Sequence, residues 1–220
     1  MNTKRIIFWV CFAIILILIV WGLIVAMGKP VTQTGISGTA PEVTAVDHVA
    51  GATSTSVSTL IEYSDFQCPA CKSYYPLVEK LMSEASTTVR LVYRHYPLPQ
   101  HQNALLAARA SEAASLQGKF WDMYRLLFEN QETWDELSDT SARNVFSGYA
   151  EQLSLDLTRY AADLDSAAVK SRISADQDAA QAIGVNSTPT FFVNGKAVVT
   201  PSTYDQFKAL VTASATTSTP

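Results

Sequence analysis

The amino-acid sequence predicts an α/β domain with a helical insertion, preceded by one N-terminal transmembrane helix. Two apolar, β-branched segments enclose a helical pattern near the start of the domain, and strand-like residues return near its end. Between them, apolar residues recur at helical spacing from about residue 100 to residue 183. Near the start of the chain, residues 6–27 form an uncharged run that is long enough to cross a bilayer.

The N-terminal run covers residues 6–27 and contains no charged residue. At about 1.5 Å per residue, a helix of this length spans a hydrocarbon layer of roughly 30 Å. Lys4 and Arg5 precede the run, so the positive-inside rule keeps residues 1–5 in the cytoplasm and places the rest of the chain outside. We expect an uncleaved, single-pass anchor in the cell membrane. A cleaved signal peptide is the alternative, although its apolar stretch usually has only about 7–15 residues.

The segments on either side of the domain have a simple composition. Residues 28–55 are rich in Gly, Ser, Thr, Pro and Ala and predict a flexible tether. Residues 212–220 are similarly featureless and are expected to be disordered, which leaves residues 56–211 for the domain. Beyond the first five residues, 14 of the 16 basic residues remain against 20 acidic ones. No basic stripe is interleaved with aromatic residues, so nucleic acid is not an expected partner.

The elements of the domain follow in order. "SVSTLIEYSDF" predicts a strand over about residues 57–63 from its β-branched and aromatic side chains. A helical pattern continues to about residue 85, and "TVRLVYRHY" is a second strand that ends at "PLP". Helices fill residues 100–183, with Gly118 and Gly184 as terminators.

The strands return in "TPTFFVNGKAVV", where Asn194-Gly195 lies between two apolar runs. This dipeptide in such a context is a strong signal for a β-hairpin. A short helix, "STYDQFKALV", closes the domain. The predicted order is therefore β-α-β, helical insertion, β-β-α.

The positions of the cysteines indicate one candidate reactive site. Cys11 lies in the apolar N-terminal run and is expected only to pack there, so Cys68 and Cys71 are the cysteines of the exported domain. A disulfide closing so small a loop stabilises little, because the gain grows with loop length. A structural zinc site needs four ligands, and the histidines are scattered: His48 in the tether, His95 and His101. No metal site is predicted.

Three stretches, "VSTLIEYSDFQCPACK", "VYRHYPLPQHQNALLAARASEAASLQGKFWDMYRLLFEN" and "VNSTPTFFVNGKAV", together resemble the DsbA-like branch of the thioredoxin superfamily. The resemblance covers about residues 46–211. The Cys-x-x-Cys motif alone is weak evidence, but its combination with the insertion and the Thr-Pro loop in this order is specific. The resemblance implies a thioredoxin fold with a helical insertion domain and thiol–disulfide exchange without a cofactor.

The residues of the motif fit this chemistry. Cys68 stands where a strand gives way to a helix, so the N–H groups of the helix terminus stabilise its thiolate. Pro69 suits the first helical turn, where its missing N–H is not needed. We expect Cys68 to be the exposed nucleophile and Cys71 the resolving thiol, with Pro69, Ala70 and Thr188 contacting substrate. The Pro69-Ala70 dipeptide departs from the histidine-containing dipeptide of the strongest oxidants in the resembled family, which leaves the oxidising power open.

Two further residues are implied by the resemblance. The family proline that Pro189 matches is cis and packs against the cysteines, and the preceding residue, here Thr188, offers backbone hydrogen bonds to an extended substrate. An ordinary trans proline at the start of a strand is the alternative. Glu62 matches a buried acidic position that helps to shuttle protons. Such a carboxylate would have a raised pKa and accept the proton of the resolving thiol, whereas a solvated carboxylate at the strand end is the alternative.

The sequence as a whole predicts extracytoplasmic thiol:disulfide exchange. The expected reaction is oxidation of dithiols in exported proteins, followed by reoxidation through a membrane redox partner, as the resemblance implies. A reductase of exported proteins is the alternative within this class, and a Cys-x-x-Cys metallochaperone is the alternative from another class. Asp65 is expected to be a turn residue. His95 and His101 could line a substrate groove but are expected to be ordinary hydrogen-bonded histidines.

Overall fold

The computed structural model describes residues 38–53 and 57–213, together with residues 9, 12–14, 16, 18 and 36. The chain divides into two compact units, Met1–Thr32 and Gln33–Pro220. The described residues of the first unit are helical. Across the described part of the chain, no helix combines the length and the apolar character needed to cross a membrane. The predicted anchor over residues 6–27 lies for the most part outside the described residues and stays a prediction.

A five-stranded mixed sheet forms the centre of the second unit. Its strands are β1 (His48–Gly51), β2 (Ser58–Ser64), β3 (Val89–His95), β4 (Thr190–Val193) and β5 (Lys196–Ala197). They lie side by side in the order β1-β3-β2-β4-β5. Strands β2 and β3 are parallel, and the other neighbouring pairs are antiparallel. Every residue of β2 is buried, because the sheet is covered on both faces.

Helices connect and cover the strands. They are α1 (Pro69–Ala85), α2 (Ala104–Ser115), α3 (Phe120–Glu129), α4 (Asp139–Gln152), α5 (Leu157–Leu164), α6 (Ala167–Ala182) and α7 (Tyr204–Ala213), with a 3-10 turn over Gln131–Thr133. Helix α1 connects the parallel strands β2 and β3, and α2 to α6 lie between β3 and β4. Ser138, Asp156 and Ser166 each accept an N–H of the following turn, which defines where α4, α5 and α6 begin. The predicted α/β fold with a helical insertion is confirmed.

The two faces of the sheet belong to different cores. Leu60 and Phe191 pack with residues of α1 and α7 on one face. Ile61 and Phe192 are the next residues along the same strands and pack on the other face, where α6 contributes. A third, largely aromatic core fills the helical insertion and includes Cys71. The cysteine pair therefore lies where the insertion meets the sheet.

Part of the predicted tether belongs to the folded domain. Residues 48–51 form β1, which pairs with β3 along its whole length. Just before it, Asp47 binds the buried guanidinium of Arg94, with Nε···Oδ1 at 2.8 Å and Nη2···Oδ2 at 3.1 Å. The tether prediction is wrong here, because a Gly- and Ala-rich composition hid a short edge strand whose partner lies far along the chain. Residues 28–35 and 54–56 lie outside the described residues.

The hairpin near the end of the chain is confirmed. Asn194 and Gly195 have φ values of 49° and 78° and connect β4 to β5. This left-handed conformation is accessible to glycine and tolerated by asparagine, which is why the dipeptide is informative. Helix α7 extends to residue 213, so the prediction of a disordered tail over residues 212–220 is wrong for residues 212 and 213. Residues 214–220 lie outside the described residues.

Candidate active site

Cys68 is the N-cap residue of α1 and directly follows the loop that ends β2. No side-chain oxygen caps this helix. The backbone N–H groups of Ala70 and Cys71 in the first turn help to lower the pKa of Cys68, and its thiol donates to the carbonyl oxygen of Thr188 at 3.5 Å. Cys68 is 6% exposed, so it is buried rather than exposed as the sequence predicted. Cys71 is completely buried, at 0%. Cys68 remains the member of the pair that a substrate can reach.

The surroundings move the pKa values of the two cysteines in opposite directions. A hydrogen bond from the Cys71 thiol, with help from the N–H groups of the first turn, lowers the pKa of Cys68 to about 6. Burial and the neighbouring Cys68 raise the pKa of Cys71 well above its ordinary value. At neutral pH the pair therefore consists of a Cys68 thiolate and a protonated Cys71, as an asymmetric exchange site requires.

Glu62 lies on β2 and interacts electrostatically with both cysteines. It is 1% exposed, which excludes the alternative of a solvated carboxylate at the strand end. Its Oε2 atom is buried without a hydrogen-bond partner. Burial raises the pKa of Glu62 to about 7, and the charge of Cys68 adds to this rise. The charge of Glu62 in turn raises the pKa of Cys71, so the carboxylate and the buried thiol are electrostatically linked.

The Thr188-Pro189 peptide bond is cis, as expected. Pro189 is buried, and Thr188 is half-buried with its carbonyl facing the Cys68 thiol. Pro69 and Ala70 are exposed on the first turn of α1. The residues predicted from the sequence to contact substrate therefore include an exposed dipeptide next to Cys68 and a backbone segment in contact with its sulfur.

Gln131 is a site residue that the sequence does not reveal. It lies in the 3-10 turn of the insertion and is 3% exposed. Its side-chain Nε2 donates to the carbonyl oxygens of Phe66, at 2.6 Å, and Cys68, at 3.2 Å. The loop that carries the nucleophile is thereby fixed to the insertion. A single polar residue between two helices gives no local signal for this contact.

Asp65 organises the other side of the same loop. One oxygen accepts the N–H of Gln67 at 2.8 Å, and the other accepts the N–H of Leu98 at 2.9 Å and contacts His101 Nδ1 at 2.6 Å. The expected turn role of Asp65 and the expected hydrogen bonding of His101 are confirmed. A polar cleft of about 320 Å³ opens beside this loop, lined by Gln67, Pro69, Gln100, His101, Gln102, Asp135 and Glu136. It offers room for a polar chain next to the first turn of α1.

Two of the histidines described as scattered meet in the fold. Glu112 Oε1 lies 2.7 Å from His48 Nε2 and 2.8 Å from His95 Nε2. Strand pairing places His48 opposite Tyr93, two positions before His95, which is why the placement of His48 in a tether is wrong. Burial favours a higher pKa for Glu112, but the contacts with both histidines hold it far below its ordinary value. His95 is the hydrogen-bonded core histidine that the sequence predicts.

The fold and the placement of Cys68 and Cys71 at the start of α1 are those of a thioredoxin-type domain, and the sequence profile of the family described as Thioredoxin matches residues 44–213. The chain belongs to the thioredoxin family. Among solved structures, oxidised BdbD from Bacillus subtilis superposes with a TM-score of 0.71 at 24% identity, over 83% of this chain and 98% of that one. Alpha-DsbA1 from Wolbachia pipientis gives a TM-score of 0.70 at 16% identity, over 79% and 93%. These likenesses show a DsbA-like form of the fold.

A thioredoxin-like oxidoreductase from Silicibacter pomeroyi DSS-3 gives a TM-score of 0.62 at 25% identity, over 80% of this chain and 95% of that one. At the level of the family, fold and site together support thiol:disulfide oxidoreductase activity.

Curated proteins that are named as antiporters are similar to about two thirds of this chain. The protein named Na(+)/H(+) antiporter NhaA 3 from Salinispora tropica is 44% identical over 151 residues, which is 68% of this chain and 22% of that protein. The NhaA protein of Herminiimonas arsenicoxydans is 40% identical over 151 residues, 69% of this chain and 23% of that protein. The chain spans less than a quarter of the length of these relatives. Because the thioredoxin profile covers most of the chain, most of the shared segment is thioredoxin domain.

Proposed function

We propose that this chain is an extracytoplasmic thiol:disulfide oxidoreductase that oxidises dithiols in exported proteins through Cys68 and Cys71. The observation that carries the proposal is the opposite shift of the two cysteine pKa values. A pair whose reduced form is stabilised as a thiolate is a stronger oxidant. The Cys68 pKa of about 6 lies between those of thioredoxin, about 7, and DsbA, about 3.5. A value closer to that of thioredoxin than to that of DsbA does not by itself set the direction of exchange.

The proposed reaction proceeds in two exchange steps. A substrate thiolate attacks the sulfur of Cys68 in the disulfide form of the pair, the bond between Cys68 and Cys71 breaks, and a mixed disulfide forms. Cys71 leaves as a thiolate and takes up a proton. The second substrate thiolate then attacks the substrate sulfur of the mixed disulfide and releases Cys68 as its thiolate. Two electrons pass from the substrate dithiol to the enzyme.

Glu62 is proposed to supply the proton that Cys71 takes up. With a pKa of about 7, this carboxyl exchanges protons close to neutral pH. The negative charge of Glu62 raises the pKa of Cys71. Protonation of Glu62 removes this charge, so a proton on one of the two groups makes it easier for the other to lose its proton. Both side chains are buried, with Glu62 1% and Cys71 0% exposed.

The substrate-binding surface is proposed to surround Cys68. The backbone of Thr188 and the buried ring of Pro189 would position an extended substrate, since the Thr188 carbonyl lies 3.5 Å from the sulfur. Pro69 and Ala70 are exposed beside it and would contact the substrate chain. The polar cleft next to Pro69 would hold the continuation of that chain.

We further propose that residues 6–27 anchor the chain in the cell membrane, with residues 1–5 in the cytoplasm and the domain outside. The uncharged run after Lys4 and Arg5 supports this. An anchored pair would be close to a membrane redox partner that reoxidises it. The full-length protein should resist a carbonate wash and lose its domain to external protease, whereas a released protein beginning near Lys29 would contradict the anchor.

The reduction potential of the pair, measured against glutathione, tests the direction of the reaction. A value well above about −200 mV supports oxidation, and a value near −270 mV contradicts it and indicates a reductase. Cys71→Ser should accumulate mixed disulfides with substrate proteins, because the attacking sulfur remains and the internal thiol is gone. Cys68→Ser should accumulate none. Cys11→Ser retains the pair and is the matched control. Complexes formed only through Cys71 would overturn the assignment.

A further inference from the structure

We infer that His48, His95 and Glu112 form a binding site for one divalent transition-metal ion of the zinc type, separate from the cysteine pair. The three residues come from β1, β3 and α2. Their nitrogen and carboxylate ligand atoms all lie within 4.8 Å of one another. Within the described ranges, no other group of three or more His, Cys, Asp or Glu side chains converges in this way. The inference does not depend on the redox function.

The donor set selects the class of metal. Two imidazoles and one carboxylate are a ligand set that zinc uses in proteins, with water in the fourth tetrahedral position. Calcium takes six to eight oxygen ligands, and magnesium prefers an octahedron of oxygens. A site with two nitrogen donors and one carboxylate therefore favours zinc and its neighbours among the first-row divalent ions.

The distances fit such an ion after a small adjustment. Zinc–ligand bonds of about 2.0–2.2 Å place neighbouring ligand atoms roughly 3.3 Å apart in a tetrahedron. The contacts from Glu112 Oε1 to the two Nε2 atoms are 2.7 and 2.8 Å, as hydrogen bonds require. The distances from Glu112 Oε1 to the two Nε2 atoms would have to lengthen by about half an ångström for the metal to bind between them. Each neutral imidazole can carry its proton on Nδ1 instead, so the two hydrogen bonds give way to metal bonds without net proton loss.

The side chains are already held in place. Their exposed fractions are 10% for His48, 1% for His95 and 7% for Glu112. The ring of Phe120 stacks on His48, with the centroids 3.4 Å apart and the planes 6° from parallel. Such support restricts the rotamers of a metal ligand and raises the affinity of a site. His48, as the most exposed of the three, marks the side from which an ion arrives.

The charges around the cluster permit a cation. Glu112 contributes one negative charge. The Arg172 guanidinium acts on His48 through its charge, but it is paired with Asp176 at 2.5 Å and lies 3.9 Å from Asp47. A bound ion would connect the short edge strand β1 to the central strand β3 and to the insertion helix α2. Because it binds only the assembled fold, it would stabilise the folded state and hold the N-terminal part of the domain in place.

The experiment uses the full-length protein with Cys11→Ser and with the cysteine pair oxidised, so that no thiol remains to bind metal. Titration with Zn²⁺ and Co²⁺ should show one equivalent bound, with a Co²⁺ visible spectrum that lacks sulfur charge-transfer bands. The melting temperature should rise with metal. His48→Gln and Glu112→Gln should each weaken binding ~100-fold or more. His101→Gln alters a histidine outside the cluster and is the matched control.

Three results would overturn the inference: unchanged Zn²⁺ affinity in His48→Gln, lost affinity in His101→Gln, or an equal response to Ca²⁺. A measurement on the unsubstituted ligands keeps the test valid if a variant fails to fold. Imidazole ¹⁵N resonances of His48 and His95 should shift on addition of Zn²⁺ while those of His101 stay in place. Shifts confined to His101 would contradict the site.

Discussion

Replacing Cys71 with alanine should raise the pKa of Cys68 from about 6 toward its ordinary value. The hydrogen bond from the Cys71 thiol is the largest contribution that lowers this pKa, ahead of the N–H groups of the helix terminus. A hydrogen bond to a charged group contributes about 1.5–3 kcal/mol, and 1.36 kcal/mol corresponds to about one pKa unit. We therefore expect a Cys68 pKa of roughly 7 to 8 in this variant.

The expected change in reactivity follows from the thiolate fraction. At pH 6 about half of Cys68 is thiolate in the wild type, but roughly 1–10% is thiolate at the raised pKa. Alkylation at this pH should slow by roughly 5- to 50-fold, because the thiolate is the reacting species. Near pH 9 the two rates should converge. Cys71→Ser retains a hydroxyl donor at the same position and should keep the Cys68 pKa close to the wild-type value.

The assay is the alkylation rate between about pH 4 and pH 10, a range that includes both pKa values. Cys11 is replaced in every protein so that it does not react. A Cys68 pKa that stays at about 6 in both Cys71→Ala and Cys71→Ser would show that the helix terminus alone sets the value and would refute the assigned role of the Cys71 thiol. A wild-type pKa near that of a free thiol would refute the electrostatic account of the whole site.

Further predictions concern stability and turnover. Burial raises the pKa of Glu62 from 4.5 to about 7, so the stability it contributes is complete below about pH 4.5 and is lost as the pH rises toward 7. Between about pH 4.5 and pH 7, the unfolding free energy of the wild type should fall by roughly 3 kcal/mol relative to that of Glu62→Gln. The same pH dependence of the unfolding free energy in both proteins would contradict this prediction. Pro189→Ala should slow substrate turnover or trap mixed disulfides while circular dichroism stays native; unchanged kinetics would remove this residue from the mechanism. Gln131→Ala removes the side-chain donor of the Phe66 carbonyl, while the Cys68 carbonyl keeps the N–H of Lys72. This variant should lower the unfolding free energy by about 1–3 kcal/mol in denaturant titration, whereas the exposed Gln181→Ala should leave it unchanged.

The parts of the fold and site that the sequence predicts rest on local signals. Cys68 and Cys71 lie one helical turn apart behind a β-branched strand, and Asn194-Gly195 needs only its own backbone preference to form a turn. Such features are encoded within a few neighbouring residues. The helical insertion is likewise visible in the spacing of its apolar side chains.

The parts that the sequence does not predict depend on contacts between distant segments. His48 reaches His95 only because β1 pairs with β3. Strand β1 has only four residues, two of which are Ala and Gly, and such a short segment does not specify its pairing partner. Glu112 lies in an alanine-rich helix, where a charged residue is ordinarily assigned to the exposed face. Gln131 acquires its role from two carbonyl groups on a loop more than sixty residues earlier. Local composition carries no information on these pairings.

The buried pair of Asp47 and Arg94 has a practical consequence for anyone who shortens this protein. A fragment that starts at residue 56, where composition suggests that the domain begins, would lack both β1 and the carboxylate partner of Arg94. Breaking a buried ion pair by removing one member costs about 3–5 kcal/mol, a large part of the roughly 5–15 kcal/mol that stabilises an ordinary domain. The loss of β1 would also expose the edge of β3 to pairing with other copies. Ile36 already packs against the core that contains Ile61 and Phe192, so fusion points, protease sites and affinity tags belong before it.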